Sequence, residues 1–233
     1  MIMQEAPPLP DRSSAQFYLG KLSGMASTVY TAQDAAYWYV PLTRAVPAAA
    51  LACVITFAGG NYSPELGLLS FGGFALVSGL LTIVLNARAL DRGALRTVFL
   101  VQSVVSILAG IAALVELRGG LPVFLVVVSA WAAITGFLEL YAGLRSRRAL
   151  AASRDWTFIG ALTAVFALVA LLIPPGYVQH YTGPDGDPRI LNASVMMVGA
   201  LAVYGVITAV YLVIAAFSLK WGPASETRNG TAQ

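Results

Sequence analysis

The chain has one cysteine, one histidine and two lysines among 233 residues, and only 11% of it is charged. A lone Cys53 cannot close an intramolecular disulfide and says nothing about redox compartment; as a small side chain inside an apolar run it is expected to be buried. One His and one Cys cannot build a His/Cys metal site. No GxSxG elbow and no GxxxxGK[ST] phosphate loop is present, and no pair of acids shares a helix face. These absences give no catalytic residue, metal ligand or cofactor to name, and they predict a non-enzymatic protein.

What the chain has instead is apolar length. Apolar residues make up 58% of it and the mean hydropathy is +0.76, far outside the range of an ordinary soluble domain. Six apolar runs stand out, at Ala45 to Gly60, Leu66 to Leu85, Val98 to Val115, Leu121 to Ala142, Trp156 to Ile173 and Val195 to Leu219. Most are long enough for a helix rising about 1.5 Å per residue to cross roughly 30 Å of hydrocarbon. The expected fold is all-α, a polytopic membrane bundle of six transmembrane helices over 44–220, with no room for a separate soluble catalytic domain.

The basic residues set the orientation. Arg12, Lys21, Arg44, Arg88, Arg92, Arg96, Arg145, Arg147, Arg148, Arg154, Lys220 and Arg228 fall on one side of the six spans, and only Arg118 and Arg189 on the other. The positive-inside rule then places both termini in the cytoplasm. The net charge of +3 follows from this topology and does not indicate nucleic acid; the expected partner is the lipid bilayer, with Arg145, Arg147 and Arg148 placed to touch anionic head groups. Twelve Arg to two Lys, with abundant Ala and Gly, suggests a GC-rich bacterial genome and hence a bacterial cytoplasmic membrane.

Residues 1–43 read as a cytoplasmic arm. Asp11, Arg12, Lys21 and Asp34 interrupt any apolar run, so they do not form the h-region of a signal peptide. From Ser13 to Tyr39, Tyr18, Leu22, Met25 and Val29 recur at helical spacing before an aromatic cluster of Tyr37, Trp38 and Tyr39, which predicts an amphipathic helix on the interface. A partly disordered arm is the alternative. The tail over 221–233, rich in small polar residues, is expected to be disordered.

A repeat runs through the even-numbered spans: FALVSG ending at Gly79, WAAITG ending at Gly136 and ALAVYG ending at Gly205. It predicts three helical hairpins repeated in parallel about an axis along the membrane normal, not an inverted repeat. Ala75 with Gly79, Ser106 with Gly110, Ala132 with Gly136, and Gly205 with Ala209 are small residues four apart, the pattern that lets helices approach closely in lipid.

Two groups invite a chemical reading. Glu139 is the one carboxylate expected inside a span, where a charge costs about 2.5–3.5 kcal/mol on insertion scales. It lies near the end of the fourth span, so pairing with Arg145, Arg147 or Arg148, snorkelling, and proton binding all stand as readings. His180 lies in the loop QHYTGPDGDPRI beside Asp185 and Asp187, a candidate pH-sensing loop because imidazole titrates between about pH 5 and 8. The GPDGD stretch reads more simply as a turn, and it lacks the remaining ligands of a calcium loop.

The fourth span with its flank, WAAITGFLELYAGLRSRR, carries a resemblance: Trp131, Gly136, Glu139 and the terminal Arg run resemble the hairpin signature of the HdeD-like family of acid-resistance membrane proteins. The resemblance implies six spans in three hairpins over about 44–220, a cytoplasmic-membrane location and a part in surviving acid, without a catalytic or transport chemistry. Departures are Thr82 and Thr208 where the second hairpin has Glu139, the Pro174-Pro175 pair, and the amino-terminal 43 residues. Three functions are expected in order: an acid-resistance or envelope-stress protein without enzymatic activity; a channel or transporter for a proton or small solute; and an accessory subunit recruiting a partner through the amino-terminal helix. A homo-oligomer is compatible with each. The channel reading requires several of Glu139, Gln102, Ser103, Ser106, Ser129, Thr135, Thr163 and Thr208 to face one cavity.

Overall fold

The computed structural model describes residues 38–60, 62–89, 93–147, 152–184 and 186–221, with backbone alone at 87–89. The expected interfacial helix lies outside the described residues except for Trp38 and Tyr39, as do 222–233 of the expected tail, Asp185 and Arg148.

Six helices are long and apolar enough to cross a membrane: α1 (Tyr39–Thr56), α2 (Pro64–Ala89), α3 (Ala94–Val115), α4 (Gly120–Arg145), α5 (Ser153–Leu172) and α6 (Ala193–Trp221). Every one exposes large apolar side chains on its outer side, among them Val46, Leu80, Leu108, Phe137, Leu168 and Ile214, as a lipid-facing surface requires. The chain is a multi-pass membrane protein. Cys53, expected to be buried, is on that outer side, because α1 turns its stripe of Ala45, Ala48, Leu51, Ala52 and Ile55 inward. Trp221, assigned by sequence to the tail, is the last residue of α6.

Local sequence sets the helix starts. Ser63 Oγ accepts the Leu66 amide at 3.3 Å with Pro64 between them, and Asn192 Oδ1 accepts the Val195 amide at 3.0 Å. The α1 helix begins six residues before the apolar run does, at Tyr39 and not Ala45. Arg44 breaks the run but not the helix, since apolar Tyr39, Val40 and Leu42 precede it.

Each helix packs against its neighbours in sequence, and α6 returns to α1, closing a ring. Within it α2, α4 and α6 also touch one another, so the even helices form an inner triangle clad by the odd ones. The most extensive seams are α2–α3, α4–α5 and α6–α1. The repeated glycines lie at these three seams. A Cβ on Gly79 would stand 3.0 Å from the Ser103 carbonyl, one on Gly136 2.8 Å from the Ala164 amide nitrogen, and one on Gly205 3.1 Å from the Ala48 carbonyl. Gly110 faces back, with a would-be Cβ 3.0 Å from the Gly72 carbonyl; Ala75, Ala132 and Ala209 are buried beside these contacts. Lys220 Nζ lies 4.7 Å over the Trp38 ring, so the start of α1 and the end of α6 share one face of the bundle, here the terminal face.

The opposite face carries an element that an all-α reading leaves out. Strands β1 (Val178–Thr182) and β2 (Pro188–Asn192) pair antiparallel, with His180 opposite Ile190 and Tyr181 opposite Arg189. The expected turn joins them: the Gly183 amide donates to the Asp187 carbonyl at 2.8 Å, and Gly186 adopts φ +84°, a left-handed conformation that suits glycine. The ladder continues to α6 through the Ala193 amide and Tyr177 carbonyl at 3.1 Å.

Candidate functional site

Burying a polar side chain in a membrane bundle is costly unless another polar group meets it, so buried polar atoms gather. Here six of the twelve buried polar residues among those described gather inside the triangle. In each even helix the residue before the repeated glycine and the residue three after it are four apart, hence on one helix face. These pairs are Ser78 with Thr82, Thr135 with Glu139, and Tyr204 with Thr208, and all six line one cavity of about 50 Å³. The glycine therefore marks the side that receives an odd helix, and its flanking pair the side turned to the centre. The odd helices complete the wall with Arg44 from α1, Gln102 and Ser106 from α3, and Ile159 and Thr163 from α5.

Glu139 is the hub. Its side chain is 3% exposed, and both carboxylate oxygens are held: Arg44 Nη2 donates to Oε1 at 2.6 Å and Gln102 Nε2 to Oε2 at 3.1 Å. Arg44, 19% exposed, reaches it from α1. Among the described residues the partner is thus neither Arg145 nor Arg147, which are exposed at the end of its own helix. A fully held carboxylate facing a guanidinium is the arrangement in which a buried charge is tolerated.

The hydroxyls leave the cavity rich in acceptors. Thr82, Thr135 and Thr163 donate to carbonyls four residues back, Ser78, Trp131 and Ile159, at 2.7–2.8 Å. With their hydrogens engaged, their oxygens offer lone pairs only. Trp131 Nε1 donates to Ser106 Oγ at 3.1 Å, and Thr163 Oγ1 meets the Tyr204 hydroxyl at 3.0 Å. Gln102 Oε1 and Thr208 Oγ1 are buried and, among the described residues, have no hydrogen-bond partner within bonding geometry. A water needs about 10–15 Å³ and two to four polar partners, so the space has the volume and the acceptors for small hydrogen-bond donors.

Aromatic and apolar side chains flank the cavity at both ends. Toward the β-hairpin, Trp131 sets its ring edge-on to Phe71 at 5.1 Å and to Phe74 at 5.7 Å, while Phe166 stacks on Tyr204 at 4.8 Å. Toward the terminal face Ile159 and Leu212 pack with Ala45.

Six of the eight polar residues named from sequence, namely Gln102, Ser106, Thr135, Glu139, Thr163 and Thr208, meet at this cavity. Ser103 and Ser129 instead donate to Phe99 and Val126 carbonyls of their own helices. Sequence reasoning missed Arg44, Ser78, Trp131 and Tyr204 as cavity residues; the signal for Arg44 was a charge flanked by apolar residues on both sides. His180 and Asp187 stand apart on the exposed hairpin, and the strand register sets His180 across from an isoleucine.

Compared with models of protein families, with curated proteins and with solved structures, the chain matches none of them.

Proposed function

We propose that this chain is a non-enzymatic membrane protein that handles protons, or a small hydrogen-bond donor such as water or ammonium, at the Glu139 cavity. The observation that carries the reading is the convergence of all six helices on one acceptor-rich space around the pair of Arg44 with the buried Glu139. A bundle that only needed to pack would fill its centre with apolar side chains, which costs less than burying an ion pair. In this reading passage runs by the aromatic cluster on one side and the Ile159–Leu212 wall on the other. On the same reading the three polar pairs belong to three parallel hairpins, the basic loops support a cytoplasmic terminal face, and the Arg-rich composition supports a bacterial membrane. The resemblance to the HdeD-like family suggests acid tolerance as the setting.

Proteoliposomes loaded with a pH-sensitive dye and given an external acid pulse, with the membrane potential clamped, test this. Wild type should acidify the lumen faster than protein-free vesicles, and Glu139→Gln should abolish the difference while inserting normally. If wild type is no faster, the pulse is repeated as an ammonium gradient; failure of both leaves a purely structural bundle. His180→Ala is expected to behave as wild type.

A further inference from the structure

Of the six seams in the ring, α5–α6 is the least closely packed. On its outer side, toward the terminal face, the two helices leave a groove of about 1010 Å³, at the upper end of ligand-site volumes of about 300–1,000 Å³. Its floor is a bridge between the helices: the rings of Phe158 and Tyr211 stack at 3.9 Å, and the Tyr211 hydroxyl donates to Asp155 Oδ1 at 3.0 Å. Part of its lining is small and apolar, Ala161 from α5 and Ala215 from α6. At the terminal face it opens between two exposed arginines, Arg147 and Arg154.

Those arginines outnumber the one acid in the lining, Asp155, and that carboxylate is already engaged by Tyr211. Guanidinium forks match phosphate oxygens, and Ser218 adds a hydroxyl nearby. A cationic mouth with an apolar lining within a membrane-spanning surface has the complementarity of an amphiphile with an anionic head. We propose that this groove binds one anionic phospholipid, its phosphate between Arg147 and Arg154 and one acyl chain along the apolar lining that includes Ala161 and Ala215. The site is separate from the central cavity: Ile159 and Leu212, on the other sides of the same two helices, line that space.

The test is native mass spectrometry of the full-length protein released from detergent micelles, titrated with phosphatidylglycerol, with phosphatidylcholine of the same chains, or with inorganic phosphate. Wild type should retain one phosphatidylglycerol in preference to phosphatidylcholine and no phosphate. Arg147→Gln/Arg154→Gln should weaken that retention about tenfold or more, the scale of a lost charge-assisted contact. Ala215→Trp should also weaken it with both arginines present, whereas Arg145→Gln, outside the groove, should not. Equal retention of the two lipids, indifference to the double arginine variant, or equal uptake of inorganic phosphate overturns the proposal. Lipid binding that appears only after deletion of 1–37 overturns it in favour of the chain's own amino-terminal segment as the occupant. A dimer that Ala215→Trp dissociates overturns it in favour of a second copy.

Discussion

Replacing Glu139 by Leu is expected to destabilise the bundle by about 3–5 kcal/mol, and replacing Arg44 as well is expected to recover most of that loss. Removing the carboxylate leaves the Arg44 guanidinium beside a buried centre with its main counter-charge gone, and a guanidinium cannot shed its proton. It also leaves the Gln102 amide without its acceptor, beside a Gln102 Oε1 that already lacks a partner among the described residues. Arg44→Leu alone should cost less, because a carboxyl deprived of its cation can take up a proton and stay buried as a neutral group. The double variant has neither charge, and two leucines of adequate volume fill the space, so its stability should fall within about 1 kcal/mol of wild type. Unfolding titrations in mixed micelles on the four proteins complete the cycle. Losses that simply add would mean that Arg44 and Glu139 are independent and that the 2.6 Å contact contributes no coupling.

The second large effect is expected at the α4–α5 seam. Gly160→Ala would drive its new methyl into the Leu140 backbone, and Gly143→Ala would set a Cβ 2.5 Å from the Thr157 amide nitrogen. Neither neighbour is the far end of a flexible side chain, so relief requires the helices to separate. The expected cost is about 1–3 kcal/mol for each methyl, and more for Gly160→Val. Because Gly160 lies one residue from Ile159 and abuts the backbone of Glu139, that separation would also widen the central cavity. Gly73→Ala and Gly199→Ala are the controls: no atom lies within 4 Å of a Cβ at either, and in mid-helix they should gain about 0.5–1 kcal/mol. Thermal melts of the four variants in one detergent check the contrast, and equal responses at all four positions would refute the close-approach argument.

How much of this was legible in the chain depended on the range of the interaction. The six helices and the glycines at their closest seams could be read locally, because membrane spans declare themselves by apolar length and close packing by small residues at fixed spacing. The central site was half legible. Thr82, Glu139 and Thr208 hold equivalent positions in the repeat, and the structure brings the three into one cavity. The partner of Glu139 was not legible: Arg44 lies 95 residues away in sequence, and nearer arginines offered themselves first. Arg44 was also hidden by its own charge, since a hydropathy reading starts the span after it and counts it with the loops. The β-hairpin was not legible because its strands, Val178–Thr182 and Pro188–Asn192, bury neither face and so carry no alternation of apolar and polar residues.

The closing of α6 onto α1 makes the connectivity of the ring cyclic in all but one covalent link. Two of its three closest seams, α2–α3 and α4–α5, are joined by loops at the terminal face; the third, α6–α1, is joined by none, and Lys220 rests on Trp38 where such a loop would run. The start of α1 and the end of α6 therefore meet where a third such loop would run. Linking them and reopening the chain within 90–92 would permute the order of the helices while preserving the direction of each and every contact between them. In its packing this bundle has no first helix; the starting point is a matter of synthesis and insertion alone.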